Sequence, residues 1–366
     1  MEYLILFILT INRYLSFAVT LAMLFNVEIH AQDRADRQHL IDPGSFTMIL
    51  LGDPQQYVAV TVNQPLLELC TAWIADNVDN LKIKAALCTG DIVGENESIH
   101  ITGNNQTSRE MWEAASKAFA RLDNIVPYMF SLGNHDYGYH SAENESTHFP
   151  EYFPFERNRA WRKLYVSAMP NRNGIHSLEN IAFEFKDPHW GSVLIITSEY
   201  HPRDEVLEWA KQLAASDTYK NSKVIFMTHS YMEIGNNAPL VKGENCFPGN
   251  DGIQIWEKLL HPSANINLLI CGHWCVANEK FADNVGYRID KNSAGRNVHQ
   301  MMFNVQTLGG GWTSNGGDGW LRILEFMPDG KTIKVRTYSP LFGISPSTKH
   351  LAHRTEPYDQ FDMVIK

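Results

Sequence analysis

Five short segments place chemically able side chains directly after apolar runs. They are GDPQ (Gly52 to Gln55), GD (Gly90, Asp91), GNHD (Gly133 to Asp136), THS (Thr228 to Ser230) and GHWC (Gly272 to Cys275). Carboxylate, carboxamide, imidazole and thiol groups of this kind suit divalent transition ions. Two such ions about 3.5 to 4 Å apart share a bridging carboxylate, acidify water toward a pKa of ~7 and neutralise phosphoryl oxygens in an in-line displacement. Singly, each segment has a plain structural explanation. An Asp after a strand caps a helix, a buried His is more often satisfied core than ligand, and GD occurs everywhere. Their recurrence at the ends of strand-like runs sets the group apart.

The elements that must position them follow from hydrophobic periodicity. FTMILLG, IKAALCTG and PYMFSLG are short buried-strand runs, and QPLLELCTAWIADNV and SREMWEAASKAFARL between them have helical spacing. The alternation continues through SVLIITSE, DEVLEWAKQLAAS, KVIFMTHS, GIQIWEKLL and INLLICGH. Beyond Trp274 the pattern turns to hairpins, with HQMMFNVQ, GWLRILEF and KTIKVRTYS as strands and Asp329-Gly330 as a turn. This order predicts one α/β domain over 46–277 and a β-rich C-terminal extension, 278–366, packed on the same sheets. The segment 137–173 has no clear period and is dense in aromatic, His and Arg residues, as expected of an insertion over a site. In an open α/β sheet, ligands collect at the carboxyl ends of strands, so all five segments are expected at one crevice.

As an ordered set, these motifs resemble those of the calcineurin-like metallophosphoesterase superfamily over residues 52 to 275. The tail GGDGWLRILEF…VRTYSP also looks like the C-terminal strands of exported bacterial members. The resemblance implies a four-layer α/β/β/α sandwich, two mixed sheets flanked by helices, and hydrolysis of phosphate mono- or diesters by metal-activated water. It further implies two divalent ions (Mn, Fe or Zn), with Asp53 on the first, Asp91 bridging, and Asn134, His229 and His273 completing the second. His135 is then left to protonate the leaving oxygen or to stabilise the phosphoryl group, with the neighbouring Asp136 orienting its ring. The chain departs from the family pattern twice, at Gln55 and Cys275, where the resemblance leads one to expect His. Both serve the first metal, so that site is expected to be weak, thiolate-bound or empty.

Composition narrows the class. A chain of 366 residues, 44% hydrophobic and 20% charged, can bury a large core, and its formal charge of −10 argues against nucleic-acid polymers and anionic membranes. Residues 1–31, two apolar runs ending in IHA, read as an export signal cleaved after Ala31, with a retained membrane anchor as the competing reading. Export makes the protein secreted or periplasmic, without stable membrane association once the signal is gone. The five cysteines are an odd number, and Cys70 and Cys88 sit in apolar patterns typical of buried thiols. For Cys275 both a ligand role and a Cys271–Cys275 disulfide remain open. Asn96, Asn105 and Asn144 head glycosylation sequons.

Arg157 and Arg162, within YFPFERNRAWRKLY, are candidates to hold a phosphate, and Trp312 in the Gly-rich LGGGWTSNGGDGW is a candidate to sit at the cleft on a mobile loop. The expected partner is a small-molecule phosphate ester, and nothing in the sequence fixes oligomeric state. Two functional classes compete. One is an exported metal-dependent phosphoesterase. The other is a binding protein on the same fold that keeps one metal and has lost hydrolysis, for which Gln55 and Cys275 are the motive. A Ser or Cys hydrolase lacks a nucleophile elbow such as G-x-S-x-G.

Overall fold

The computed structural model describes residues 38–98, 105–244, 246–313 and 315–365; the expected signal segment lies outside them. None of the described helices is long and apolar enough to cross a membrane.

Two mixed β-sheets carry the fold. The first runs, strand by strand, His353–Arg354, Thr332–Tyr338, Leu321–Phe326, Phe46–Leu51, Ile83–Cys88 and Tyr128–Phe130, with Phe361–Val364 also pairing with Thr332–Tyr338. Its last three strands are mutually parallel. The second runs Tyr165–Met169, Asn180–Asp187, Gly191–Thr197, Lys223–Met227, Ile266–Cys271, Asn297–Phe303, Val285–Lys291 and Gly235–Asn236. Four of its central strands, from Gly191–Thr197 to Asn297–Phe303, are parallel.

Burial explains why these runs are strands. All six residues of Phe46–Leu51 and of Ile266–Cys271 are buried, so both faces of each strand are covered and the sequence reads as an unbroken apolar run. One core joins residues of both sheets, including Ile49, Ala86, Ile195, Met227, Ile270 and Phe303. A second lies where Leu207, Ala210 and Ala214 of helix Asp204–Ala215 and Ile255 and Leu259 cover the other face of the second sheet. Helices Gln64–Asp76 and Ser108–Phe119 flank the first sheet. The latter starts at a capping box, in which Thr107 and Glu110 exchange bonds and satisfy two otherwise orphaned N–H groups. These are two mixed sheets flanked by helices.

Two segments differ from the sequence expectation. GIQIWEKLL is not one α-helix: it starts as Gly252–Ile255 and widens to a π-helix over Trp256–Leu260. The segment 137–173 contains two short helical turns and the strand Tyr165–Met169, and its aromatics pack down on the first sheet's helix, with Trp112 stacked on Tyr152 and Phe119 against Phe153. The chain beyond 277 forms no separate layer. Leu321–Phe326 pairs antiparallel with Phe46–Leu51, and Asn297–Phe303 pairs parallel with Ile266–Cys271. Asp329 and Gly330 make the expected turn between two C-terminal strands; the Asp329 carboxylate accepts the N–H groups of Lys331 and Thr332, and Gly330 has φ +70°.

Candidate metal centre

Every parallel strand named above points its carboxyl end at one crevice. From the first sheet come Asp53, Asp91, and the 3₁₀ turn Asn134–Asp136; from the second come His229, His273 and the Asn304 to Thr307 segment. Close approach of these loops depends on glycine. A Cβ on Gly90, which has φ +102°, would stand 2.8 Å from His229 Nδ1, and a Cβ on Gly133 would overlap the Asp91 carboxylate. Asp91 (φ +47°) and His273 (φ +76°) themselves occupy left-handed backbone conformations, strain of a kind that collects at functional sites.

Four side-chain atoms converge. His229 Nε2 lies 3.1 Å from Asn134 Oδ1, 3.1 Å from His273 Nδ1 and 3.4 Å from Asp91 Oδ1, and His273 Nδ1 is 2.9 Å from Asn134 Oδ1. Their outer partners fix which atoms face inward. His229 Nδ1–H donates to the Thr89 carbonyl at 2.7 Å, and His273 Nε2–H donates to Glu244 Oε1 at 2.8 Å. The Asn134 amide nitrogen donates to Ser141 Oγ at 2.7 Å, which turns its oxygen to the centre. With tautomers assigned from these partners and both rings neutral, four lone pairs meet at one point. A cation satisfies that arrangement, so the donor set fits a divalent metal, and the carbonyl and carboxylate behind the two imidazoles are the usual orienting partners of metal-bound His. Asp91, His229 and His273 also form the group of three acidic, His or Cys residues close enough together to hold an ion.

Electrostatics point the same way. Burial opposes charge on His229, yet Asp91 and Asp53 raise its pKa to about 10, and burial of Asp91 is outweighed by His229 and His135, which hold its carboxyl far below the usual range. A field that draws a proton onto His229 also draws a cation, whose binding must displace that proton.

The residues expected at a first metal are arranged differently. Burial pushes the Asp53 carboxyl up to about 7, and its two oxygens accept Thr89 Oγ1–H and the His273 N–H, each at 2.8 Å. Gln55 turns its amide nitrogen, not its oxygen, toward Asp91 Oδ2 at 3.0 Å. Cys275 stands outside the ion-binding group, and burial, ahead of the charges of Asp53 and Asp91, pushes its thiol up to about 12. All five cysteines are free, and the Cys271–Cys275 disulfide is not formed.

The orienting role expected of Asp136 falls to another residue. Asp136 is fully buried, and its carboxylate accepts the N–H groups of Ile92 (2.7 Å), Val93 (3.2 Å) and Gly133 (2.8 Å), tying together the loops that carry Asp91 and Asn134. His135 Nδ1 is instead 3.1 Å from Glu95 Oε1. Glu95 Oε2 accepts the Ser141 N–H, which fixes that carboxylate. Burial tends to lower the His135 pKa, but Asp91 and Glu95 raise it to about 9. Glu95 and Glu244 were invisible in the sequence reading; the only signal for Glu95 was a second acid four residues after Asp91.

Neither arginine reaches the crevice. Arg157 is spent on structure, donating to Asp123 Oδ2, Ser116 and the Tyr152 carbonyl, and Arg162 lies exposed after the 3₁₀ turn Arg159–Trp161. Trp312 does line the crevice, with Gln55, Asp91 and His135. The root of its loop is clamped by Glu279, whose carboxylate accepts the N–H groups of Gly309, Gly310 and Gly311.

Comparison with known proteins completes the description. A Bacillus subtilis (strain 168) protein, YvnB, described as uncharacterized, is 25% identical over 300 residues; these are 81% of this chain but 20% of YvnB, so the chain spans about a fifth of that relative. Two solved structures align over most of the chain: GAP50, the anchor in the inner membrane complex of Plasmodium (12% identity, 88% of this chain and 89% of that one, TM-score 0.45), and PhoD (13%, 89% and 70%, TM-score 0.41). The profile of the calcineurin-like phosphoesterase family matches residues 47–277, a span that begins one residue into the first strand and ends just beyond His273, enclosing every converging donor. The chain therefore belongs to the calcineurin-like phosphoesterase family.

Proposed function

We propose that this protein hydrolyses phosphate esters of small molecules with a divalent metal held by Asp91, Asn134, His229 and His273. The convergence of four inward-facing ligand atoms, with His135 paired to Glu95 beside them, carries the reading. A cation there supplies charge neutralisation of phosphoryl oxygens and a more acidic water. His135 then gives its proton to the leaving oxygen, while Glu95 holds the ring in place. Asp136 staples the two loops so that Asp91 and Asn134 stay in register. The arrangement at Asp53, Gln55 and Cys275, where both Asp53 oxygens and Asp91 Oδ2 already accept hydrogen bonds, supports at most a weak first metal. Retention of an acid beside the centre favours catalysis over a binding-only role. Export by way of residues 1–31 is part of the same proposal, and N-terminal sequencing of the mature protein tests it.

The experiment for catalysis is metal stripping and reloading with manganese, zinc or iron, followed by assay on aryl phosphate mono- and diesters. Turnover that returns with metal, and that falls about 10²- to 10⁴-fold in His135→Ala, is expected. A protein shown by elemental analysis to be loaded, yet inert on both substrates, would sink the proposal.

A further inference from the structure

Two separate cavities open on the centre, one of about 440 Å³ and one of about 390 Å³, and they share only the walls formed by Asn134 and His273. The larger contains Asp91 and His135; the smaller contains Tyr200, Glu244 and Trp274. The proton donor thus belongs to one side alone. We infer that the substrate is a phosphodiester that straddles the centre, its leaving arm in the larger cavity and its retained arm in the smaller, both arms free of further anionic groups. This inference rests on the phosphoesterase reading and specifies its substrate class.

The chemistry of the walls supports each half. Tyr139 and Trp312, both 57% exposed, offer aromatic faces to the leaving arm. Trp274, 39% exposed, offers a face to the retained arm. Among the described lining residues of both cavities Lys242 is the single Lys or Arg, set against Glu95, Glu233 and Glu244. A second phosphate or a carboxylate on either arm would face those acids. A monoester would leave the smaller cavity without an occupant, and its dianion would bring one more charge than a diester into these acidic surroundings. In the reaction, water oxygen bonds to phosphorus and gives up a proton to solvent, the bond from phosphorus to the leaving oxygen breaks, and the His135 proton passes to that oxygen, His135 being reprotonated from solvent. The products are an alcohol in the larger cavity and a phosphomonoester retained in the smaller.

The test uses the metal-loaded full-length protein. Bis(p-nitrophenyl) phosphate is expected to exceed p-nitrophenyl phosphate at least tenfold in kcat/KM. By calorimetry the non-hydrolysable diphenylphosphinate should bind at least tenfold more tightly than phenylphosphonate. Trp274→Ala should lower the diester-to-monoester ratio at least fivefold, whereas Trp312→Ala, acting on the arm common to both substrates, should lower both rates and leave the ratio within twofold. Equal or greater activity on the monoester, or a ratio insensitive to Trp274, overturns the two-arm inference while the phosphoesterase reading stands. Inertness toward both esters with no preference between the two analogues overturns both.

Discussion

Replacing Asp136 by Asn separates a staple from an orienting partner. The native carboxylate accepts three backbone N–H groups in a fully buried place: Oδ1 serves Ile92 and Val93, and Oδ2 serves Gly133. Asn keeps one oxygen, so the amide nitrogen must face one of these donors. One charge-assisted bond, worth about 1.5 to 3 kcal/mol, is lost, and a buried N–H left without an acceptor costs about 1 to 3 more. Relief of the buried charge returns part of this. A net loss of about 2 to 4 kcal/mol is expected, read from urea unfolding of parent and variant. The two loops joined by Asp136 bear Asp91 and Asn134, so cation affinity by calorimetry should fall about 10- to 100-fold, the range typical of outer partners of a metal site. Parental stability and affinity combined with a collapsed kcat would refute this reasoning, since that pattern belongs to a residue that merely steers the His135 ring.

Two further outcomes are expected. Glu95→Gln should lower kcat about tenfold with KM nearly constant, a fraction of the full effect of a general acid, and Glu95→Asp should recover part of it; steady-state kinetics on an aryl diester decides, and an unchanged kcat counts against the Glu95 contact. His299 is buried, accepts a hydrogen bond from the Tyr287 hydroxyl at 2.6 Å and donates to the Val364 carbonyl at 3.0 Å, and burial holds its pKa below the usual value. The unfolded ring takes up a proton near pH 6.5 and the folded one resists it, so this residue's contribution to stability is present above pH 6.5 and is lost on acidification, by at most about 1.4 kcal/mol per pH unit. His299→Gln should therefore show a shallower loss of stability between pH 7 and 5 than the parent; identical slopes would argue that the folded ring protonates freely.

The sequence disclosed the strands that are covered on both faces. Phe46–Leu51 and Ile266–Cys271 are apolar throughout because both faces are buried. Asn180–Asp187 was hidden because Asn180 and Glu184 interrupt its run, although it lies between two paired strands. The positions of Asp91, Asn134, His229 and His273 were legible because glycine and strand ends mark them. Asp136 misled because adjacency along the chain is not adjacency in space: the 3₁₀ turn that aims His135 outward aims the next carboxylate inward. Glu95 and Glu244 stayed hidden because they stand in loops 40 and 29 positions from their histidines, a relation no local pattern encodes.

The pairing of Leu321–Phe326 with Phe46–Leu51, and of Asn297–Phe303 with Ile266–Cys271, bears on any attempt to shorten this protein. A truncation after residue 277, where the match to the family profile ends, would strip a neighbour from the strand leading to Asp53 and another from the strand leading to His273. Two long apolar edges would be left bare, ready to recruit strands from other molecules. The smallest autonomous folding unit is thus set by hydrogen-bonded ladders and extends well past His273.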